Sequence, residues 1–190
     1  AFTGGVVATA PSAINLNGTV SAAGTGVITL GDGDTGVAVG GNSTVGGTST
    51  GTISMGDATL ADDVTLTVGT GIANQIDLDA ITGTAGGAVS NLTINTAGVV
   101  TVAEAVGTDI GTVTITQSGG TTFASTVGAA TVAITDTADA ATVAFQGNLT
   151  VGTALTVAAQ PYNVSITGGT NTIAGTTTFN NTGTLTLGDG

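Results

Sequence analysis

Short runs of the form apolar, small or polar, apolar recur about every ten residues in the second half of the chain. They are rich in β-branched residues and are bounded by Gly, Asn, Asp and Ser, so they predict β-strands. Residues 1 to 60 repeat less cleanly, although VITLGDG at 27–33 returns as TLTLGDG at 184–190. The runs occupy 92–94, 100–102, 113–115, 122–124, 132–134, 143–145, 155–157, 164–166 and 185–187.

This spacing predicts an all-β fold with two possible architectures. One is a β-solenoid with two strands and about 20 residues per coil, and the other is an antiparallel β-sandwich of short strands. Aromatic residues make up only 3% of the chain, there are two prolines, and the 33 glycines provide tight corners. These features favour the solenoid, built as a single module over residues 1–190.

Neither end of the sequence offers a charged capping element, because AFTGGVVATA at 1–10 and TLTLGDG at 184–190 both look like further repeat. An uncapped solenoid end exposes unpaired backbone groups that pair with another chain. We therefore expect copies of the chain to join end to end, or the module to be a segment of a longer array or filament.

The charge composition excludes several classes of function. The chain has no Lys, Arg or His and a formal net charge of −12. Without cations it has no means of neutralising phosphates, so neither nucleic acids nor anionic membrane surfaces are expected partners. No apolar run approaches the roughly 20 residues that span a bilayer, so membrane insertion is not expected. The absence of Lys and Arg also removes trypsin-like cleavage sites, which suits life outside the cell.

Three motifs resemble catalytic or cofactor sites. The GTSTG run around Ser49 matches a nucleophile elbow, but the chain has no His or Lys to activate the hydroxyl. The GDGDTG run at 31–36 matches a dinucleotide loop but precedes no helix. The triplets at Asp34 and Asp136 resemble the paired loops of aspartic proteases. An aspartic hydrolase is thus an alternative, and the prediction is that the protein is not an enzyme.

Aspartates at glycine-rich turns predict a calcium site, since calcium prefers several carboxylate and carbonyl oxygens. GDGDTG, with Asp32 and Asp34, partly resembles the calcium-binding nonapeptide repeat of secreted toxins. In QIDLDAI, Asp77 and Asp79 face outward on one strand face, and a 20-residue coil would stack Asp57 on Asp77. The alternative is that these carboxylates are solvated charges that keep rods apart.

Threonines form a second candidate surface. Thr29, Thr93, Thr114, Thr156 and Thr186 each lie between two apolar residues and are expected to share the outward face. Stacked on successive coils, they would form a flat ladder that resembles the surface of ice-binding solenoids, so an ice- or carbohydrate-binding module is an alternative function. The competing explanation is that threonine simply favours exposed strand positions.

Asparagines in N-x-S/T sequons are candidate glycan attachment sites if the source glycosylates exported proteins. There are six, at Asn17, Asn42, Asn91, Asn148, Asn163 and Asn180.

The mixture of Thr, Ala, Gly and Val, with LTI and VAI strands, no Cys and no basic residue, resembles the β-strand-repeat surface proteins of bacteria. These include S-layer proteins and haemagglutinin-like adhesins. The resemblance covers most of the chain, is strongest over 90–190 and is compositional. It implies export and self-assembly on or outside the cell.

The function expected from these observations is that of an extracellular or cell-surface structural protein. Copies would assemble into a filament, surface layer or adhesin stalk, with cations such as calcium assisting. A further alternative is an immunoglobulin-like pilus subunit that donates its N-terminal strand, GGVVATA at 4–10, to the next copy.

Overall fold

The computed structural model describes residues 1–188, which form short β-strands and no helix. No segment of this part of the chain is therefore a helix long and apolar enough to cross a membrane. In chain order the strands are β1 (Val6–Ala8), β2 (Ile14–Leu16), β3 (Thr19–Ala22), β4 (Ile28–Leu30), β5 (Val37–Val39), β6 (Ser43–Gly47), β7 (Ile53–Met55), β8 (Ala58–Leu60), β9 (Thr65–Val68), β10 (Ile76–Leu78), β11 (Ile81–Gly83), β12 (Ser90–Asn95), β13 (Val100–Val102), β14 (Val106–Gly107), β15 (Ile110–Gln117), β16 (Thr121–Phe123), β17 (Val127–Ile134), β18 (Thr142–Phe145), β19 (Leu149–Val157), β20 (Asn163–Ile166), β21 (Thr172–Ile173) and β22 (Leu185–Leu187).

All pairings between these strands are parallel, and each strand lies against strands one coil away in the chain. The coils average about 22 residues and make about 8 turns. The predicted β-solenoid is confirmed, and the antiparallel sandwich, with the immunoglobulin-like subunit built on it, is wrong. The N-terminal segment includes β1, which pairs with β4 of its own chain.

Each coil has three strands, not the predicted two, so the rod has three faces. The first face is a nine-stranded sheet in the order β1-β4-β7-β10-β13-β16-β18-β20-β22. The second face contains β2, β5, β8, β11, β14 and β21, and the third contains β3, β6, β9, β12 and β15. The second and third faces form one sheet because β17 and β19 run across both.

We name the three corners by the faces they join. The first corner joins the first face to the second, and the second corner joins the second face to the third. The third corner leads from the third face to the next coil. Corners differ in length, so partners lie between 19 residues apart, as for Thr112 and Thr131, and 26 apart, as for Leu66 and Leu92. Residues 1 to 60 form coils as regular in their pairing as the rest.

The core consists of inward-facing apolar side chains that stack on equivalent residues of the neighbouring coils. Alternation along each strand sends every second side chain inward. The parallel register then stacks apolar side chains on apolar side chains of the next coil. On the third face one inward row is completely buried or nearly so: Val45, Val68, Ile94, Ile115, Ile134 and Val157. The core's only stacked ring pair among the described residues is Phe123 on Phe145, with centroids 5.0 Å apart.

Buried hydroxyl and amide groups line the inside of the third corner. The Ser49 hydroxyl donates to the carbonyl of Gly26 (2.6 Å) and accepts the N–H of Gly51 (2.9 Å). Such groups satisfy backbone atoms that the tight corner leaves without sheet partners. The residues that occupy this position in successive coils are Ser49, Asn74, Thr96, Ser118 and Thr137, each at most 3% exposed.

Glycine is required at some corners by both conformation and close approach. Gly69 has φ 88°, in the left-handed region that side chains disfavour. A Cβ at this position would also collide with the carbonyl of Asn95 in the next coil. The high glycine content therefore partly reflects coil stacking.

Tyr162, the only tyrosine in the chain, is fully buried and its hydroxyl donates to the carbonyls of Ala158 (3.1 Å) and Ile134 (3.3 Å). Burial, with a smaller contribution from the charge of Asp136, raises the pKa of Tyr162 above its ordinary value. The unfolded chain then loses this proton at a lower pH than the folded chain. The stability that comes from protonated Tyr162 is therefore fully present below the unfolded pKa, about 10. This contribution falls as the pH rises above that value.

We expect alkaline titration to show tyrosinate absorbance and loss of the β-sheet circular dichroism signal together, above the ordinary tyrosine pKa. The chain has no Trp, so the absorbance reports Tyr162 alone. As a control, Tyr162→Phe should remove this alkaline component. Ionisation at the ordinary pKa with the sheet signal intact would contradict the assignment.

Candidate functional site

Most of the predicted calcium ligands lie along the first corner. Asp32 follows β4, Asp57 separates β7 from β8, and Asp79 separates β10 from β11. Glu104, which belongs to no glycine-rich turn motif, occupies the same corner between β13 and β14. We call these residues, with Asp34, the acidic corner. Asp57, Asp79 and Glu104 line one shallow depression on it.

Several of these carboxylates already have partners within the protein. Asp32 accepts the backbone N–H groups of Asp34 (3.0 Å) and Thr35 (2.9 Å), which closes the turn after β4. Asp57 accepts the N–H of Ala80 in the next coil (3.1 Å). These bonds give the aspartates a structural role at the corner, independent of any ion.

The predicted stacking of Asp57 on Asp77 is wrong. Asp77 lies on the first face, in register with Ser54 and Thr101, and accepts the side-chain amide of Gln75. Asp57 lies instead at the first corner, because the coil here is 23 residues long and not 20. Asp77 and Asp79 consequently occupy a face and a corner. Within residues 1–188 no group of three or more acidic side chains is close enough to hold a metal ion, so calcium stays a prediction.

The catalytic motifs have structural explanations. Ser49 is 3% exposed and bonded to backbone groups, as described above. The GDGDTG run forms the turn between β4 and β5, and a strand follows it where a dinucleotide site needs a helix. Asp34 lies at the first corner before β5, whereas Asp136 lies at the third corner after β17. The structure therefore does not bring these two aspartates together.

Threonines form in-register rows on the third face. The predicted set divides between two faces: Thr93, Thr114 and Thr156 lie in one row here, whereas Thr29 and Thr186 lie on the first face. Variation in spacing along the sequence is absorbed by the corners, so it does not disturb the row. The complete row over seven coils is Thr19, Thr44, Thr67, Thr93, Thr114, Ala133 and Thr156.

A second outward row runs two residues away on the same strands, so the third face presents two parallel outward rows. It contains Thr65, Asn91, Thr112, Thr131 and Ala154. Neither row contains a charged residue. The first row also includes Thr19, Thr44 and Thr67, because strand pairing and not regular sequence spacing places them in register.

Sequon asparagines have a structural role that the sequence did not reveal. The side-chain oxygen of Asn42 accepts the N–H of Thr65 in the next coil (2.8 Å), and that of Asn91 accepts the N–H of Thr112 (3.0 Å). Asn148 and Asn163 make equivalent bonds one coil onward. Asn17 and Asn180 are exposed. Bonding between coils thus accounts for four of the six sequons, and glycosylation stays a prediction.

The two ends of the rod expose apolar side chains that the middle coils bury. At the N-terminal end Phe2, which pairs with the buried Ala22, is 50% exposed, and at the C-terminal end Leu185 is 38% and Leu187 61% exposed. Leu185 and Leu187 lie in register with the buried Val164 and Ile166, so they face the core. They are exposed because no further coil covers them in this structure.

Charge is distributed in the opposite way. Every acidic side chain in the described residues lies between Asp32 and Asp139. The strands β1 to β3 at one end and β18 to β22 at the other contain none. The described end strands are therefore free of acidic side chains, whereas the central coils between them carry the acidic side chains of the described residues.

Comparison with known proteins yields no relative. No family model, no curated protein and no solved structure matches the chain. The resemblance to bacterial surface proteins stays a prediction.

Proposed function

We propose that this protein is an extracellular structural module that associates end to end with copies of itself to build a filament, surface layer or adhesin stalk. The observation that carries the proposal is that Phe2 at one end and Leu185 and Leu187 at the other expose apolar side chains that continue the buried rows of the core. Burial of apolar surface favours contact at the ends. Repulsion between carboxylates opposes contact along the sides.

End-to-end contact of parallel coils joins two different surfaces, the C-terminal end of one copy and the N-terminal end of the next. Such a heterologous contact produces open fibres when its rotation does not close a ring. Each turn adds about 4.8 Å, so the 8 turns form a rod of roughly 40 Å. Filament length then grows by this increment per copy.

In this proposal, cations screen the repulsion between carboxylates on the sides of neighbouring rods. The acidic corner places several carboxylates on successive coils, and surface charges of this kind are screened at moderate ionic strength. Calcium would bring rods together laterally and so convert filaments into layers. This role requires no closed coordination site.

A charge introduced at one end should abolish association. In Leu187→Asp the new carboxylate is exposed in the single rod but would be buried without a partner at the junction, at a cost of several kcal/mol. We expect sedimentation velocity to show assemblies for the unmodified protein and single rods for this variant. Circular dichroism should show that the fold is retained.

Val99→Asp is the matched control, because Val99 is 54% exposed at the third corner in the middle of the rod. It adds the same charge away from the ends and should leave assembly intact. Equal loss of assembly in both variants would mean that added negative charge anywhere on the rod prevents association. That result would contradict the end-to-end proposal.

The threonine rows of the third face support a second candidate function, binding of ice or carbohydrate. They present hydroxyl and methyl groups at the regular spacing of the strands, about 4.8 Å. Thermal hysteresis and glycan-binding assays on Thr93→Lys and Thr114→Lys test this candidate. Activity that these substitutions leave unchanged would rule out the third face as the binding surface.

A further inference from the structure

The exposed edges of the first face are β1 at the N-terminal end and β22 at the C-terminal end. Both edge strands have three residues and run in the same direction as every strand between them. In each, the central residue points outward, Val7 in β1 and Thr186 in β22. These belong to one outward row that the register defines along the whole sheet.

The inward apolar residues of β1 and β22 could stack on each other as the inward residues of neighbouring coils do inside the rod. Leu185 and Leu187 extend the buried rows of the core and lack a neighbour on one side. Val6 and Ala8 begin the same rows at the other end and are half-buried. Stacking the two edges would give each of these side chains the apolar neighbour that its equivalents have inside the rod.

We infer, on the basis of the proposed end-to-end association, that the occupant of the exposed β22 edge is β1 of a second copy of this chain. The two strands pair in parallel, with Leu185 opposite Val6, Thr186 opposite Val7 and Leu187 opposite Ala8. The first-face sheet is then continuous from one copy to the next.

This register is specified by the alternation of the strands. A slip of one residue would turn the apolar residues of one strand outward. On the third face, Phe179 pairs with Val157 at one end and Phe2 pairs with Ala22 at the other, so both ends of that face also carry an aromatic residue. The second face ends at β21, and no strand of that face follows β22 within residues 1–188. The junction would therefore leave a gap one strand wide on the second face. The junction therefore depends mainly on the first and third faces.

Disulfide formation between single-cysteine variants tests the register directly, because the natural chain has no cysteine. In the proposed junction the Cα atoms of residues 7 and 186 are one strand spacing apart, about 4.8 Å, which a disulfide spans. We expect a mixture of Val7→Cys and Thr186→Cys to form cross-linked dimers under mild oxidation. Each variant alone should form few.

Thr29→Cys mixed with Thr186→Cys is the matched control. Thr29 lies in the same outward row one coil further in, so it would be about 9.6 Å from residue 186, beyond the reach of a disulfide. We expect about tenfold less cross-linking in this mixture than in the Val7→Cys mixture.

Sedimentation of the unmodified protein separates the two levels of the proposal. Assemblies together with equal cross-linking in the test and control mixtures would overturn the β22–β1 register and leave end-to-end association standing. Predominant cross-linking within Val7→Cys alone would overturn it in favour of a head-to-head contact. Single rods at every concentration would overturn both association and junction.

Discussion

Phe145→Ala is expected to lower the free energy of unfolding by about 3–5 kcal/mol, the usual cost of removing a buried phenylalanine side chain. Phe145 is completely buried and its ring stacks on Phe123 of the preceding coil, with 3° between the ring planes. The cavity would adjoin two coils at once, because in a solenoid each coil is stabilised mainly by its neighbours. Denaturant unfolding followed by circular dichroism measures the effect.

Thr122→Ala provides the comparison for this prediction. Thr122 lies beside Phe123 on the same strand but faces outward, so the substitution should change stability by no more than about 0.5 kcal/mol. Similar losses for Phe145→Ala and Thr122→Ala would mean that the stacked rings do not anchor the core.

Thr96→Val is expected to cost about 1–3 kcal/mol although it preserves shape. The Thr96 hydroxyl donates to the carbonyls of Asn74 (2.6 Å) and Ile72 (2.8 Å) and accepts the N–H of Gly98 (3.0 Å). Valine would remove this partner from the Asn74 carbonyl and the Gly98 N–H, whereas the Ile72 carbonyl keeps the N–H groups of Asn74 and Ala97. Denaturant unfolding again provides the measurement.

Thr93→Val is the matched control, since Thr93 lies three residues earlier with its side chain on the outer face. Valine is tolerated at exposed strand positions, so stability should change little. If Thr93→Val were as destabilising as Thr96→Val, the internal hydroxyl network would not be a source of stability.

The fold class was predictable because the alternation that specifies strands is local. The number of strands per coil was not. In the sequence IDLDAITG, β10 and β11 are separated only by Asp79 and Ala80. The hydrophobic–polar pattern of two strands that meet at such a corner is nearly the same as that of one irregular strand. The corner contains no turn motif that would distinguish them.

Stacking partners were unpredictable for a related reason. Coil length varies because the corners vary, so a constant 20-residue period placed Asp57 on Asp77. The same variation obscured the threonine row, whose members Thr67 and Thr93 are 26 residues apart although they are direct neighbours.

The buried hydroxyls were missed because Thr and Ser are so common in this chain that internal ones are not conspicuous. A signal exists in retrospect. Ser49, Thr96 and Ser118 are each followed two residues later by a glycine whose N–H they accept. A polar residue followed two residues later by a glycine, as in three of the five coils, therefore indicates a corner of this type.

Electron microscopy of the purified 190-residue protein tests the central claim most directly. Particle lengths should be measured over a range of protein concentrations, with added calcium and with a chelator. The account predicts rods of constant width whose length increases with concentration in steps of roughly 40 Å, from about 4.8 Å per turn over 8 turns. Particles of a single length at every concentration and in both conditions would contradict it.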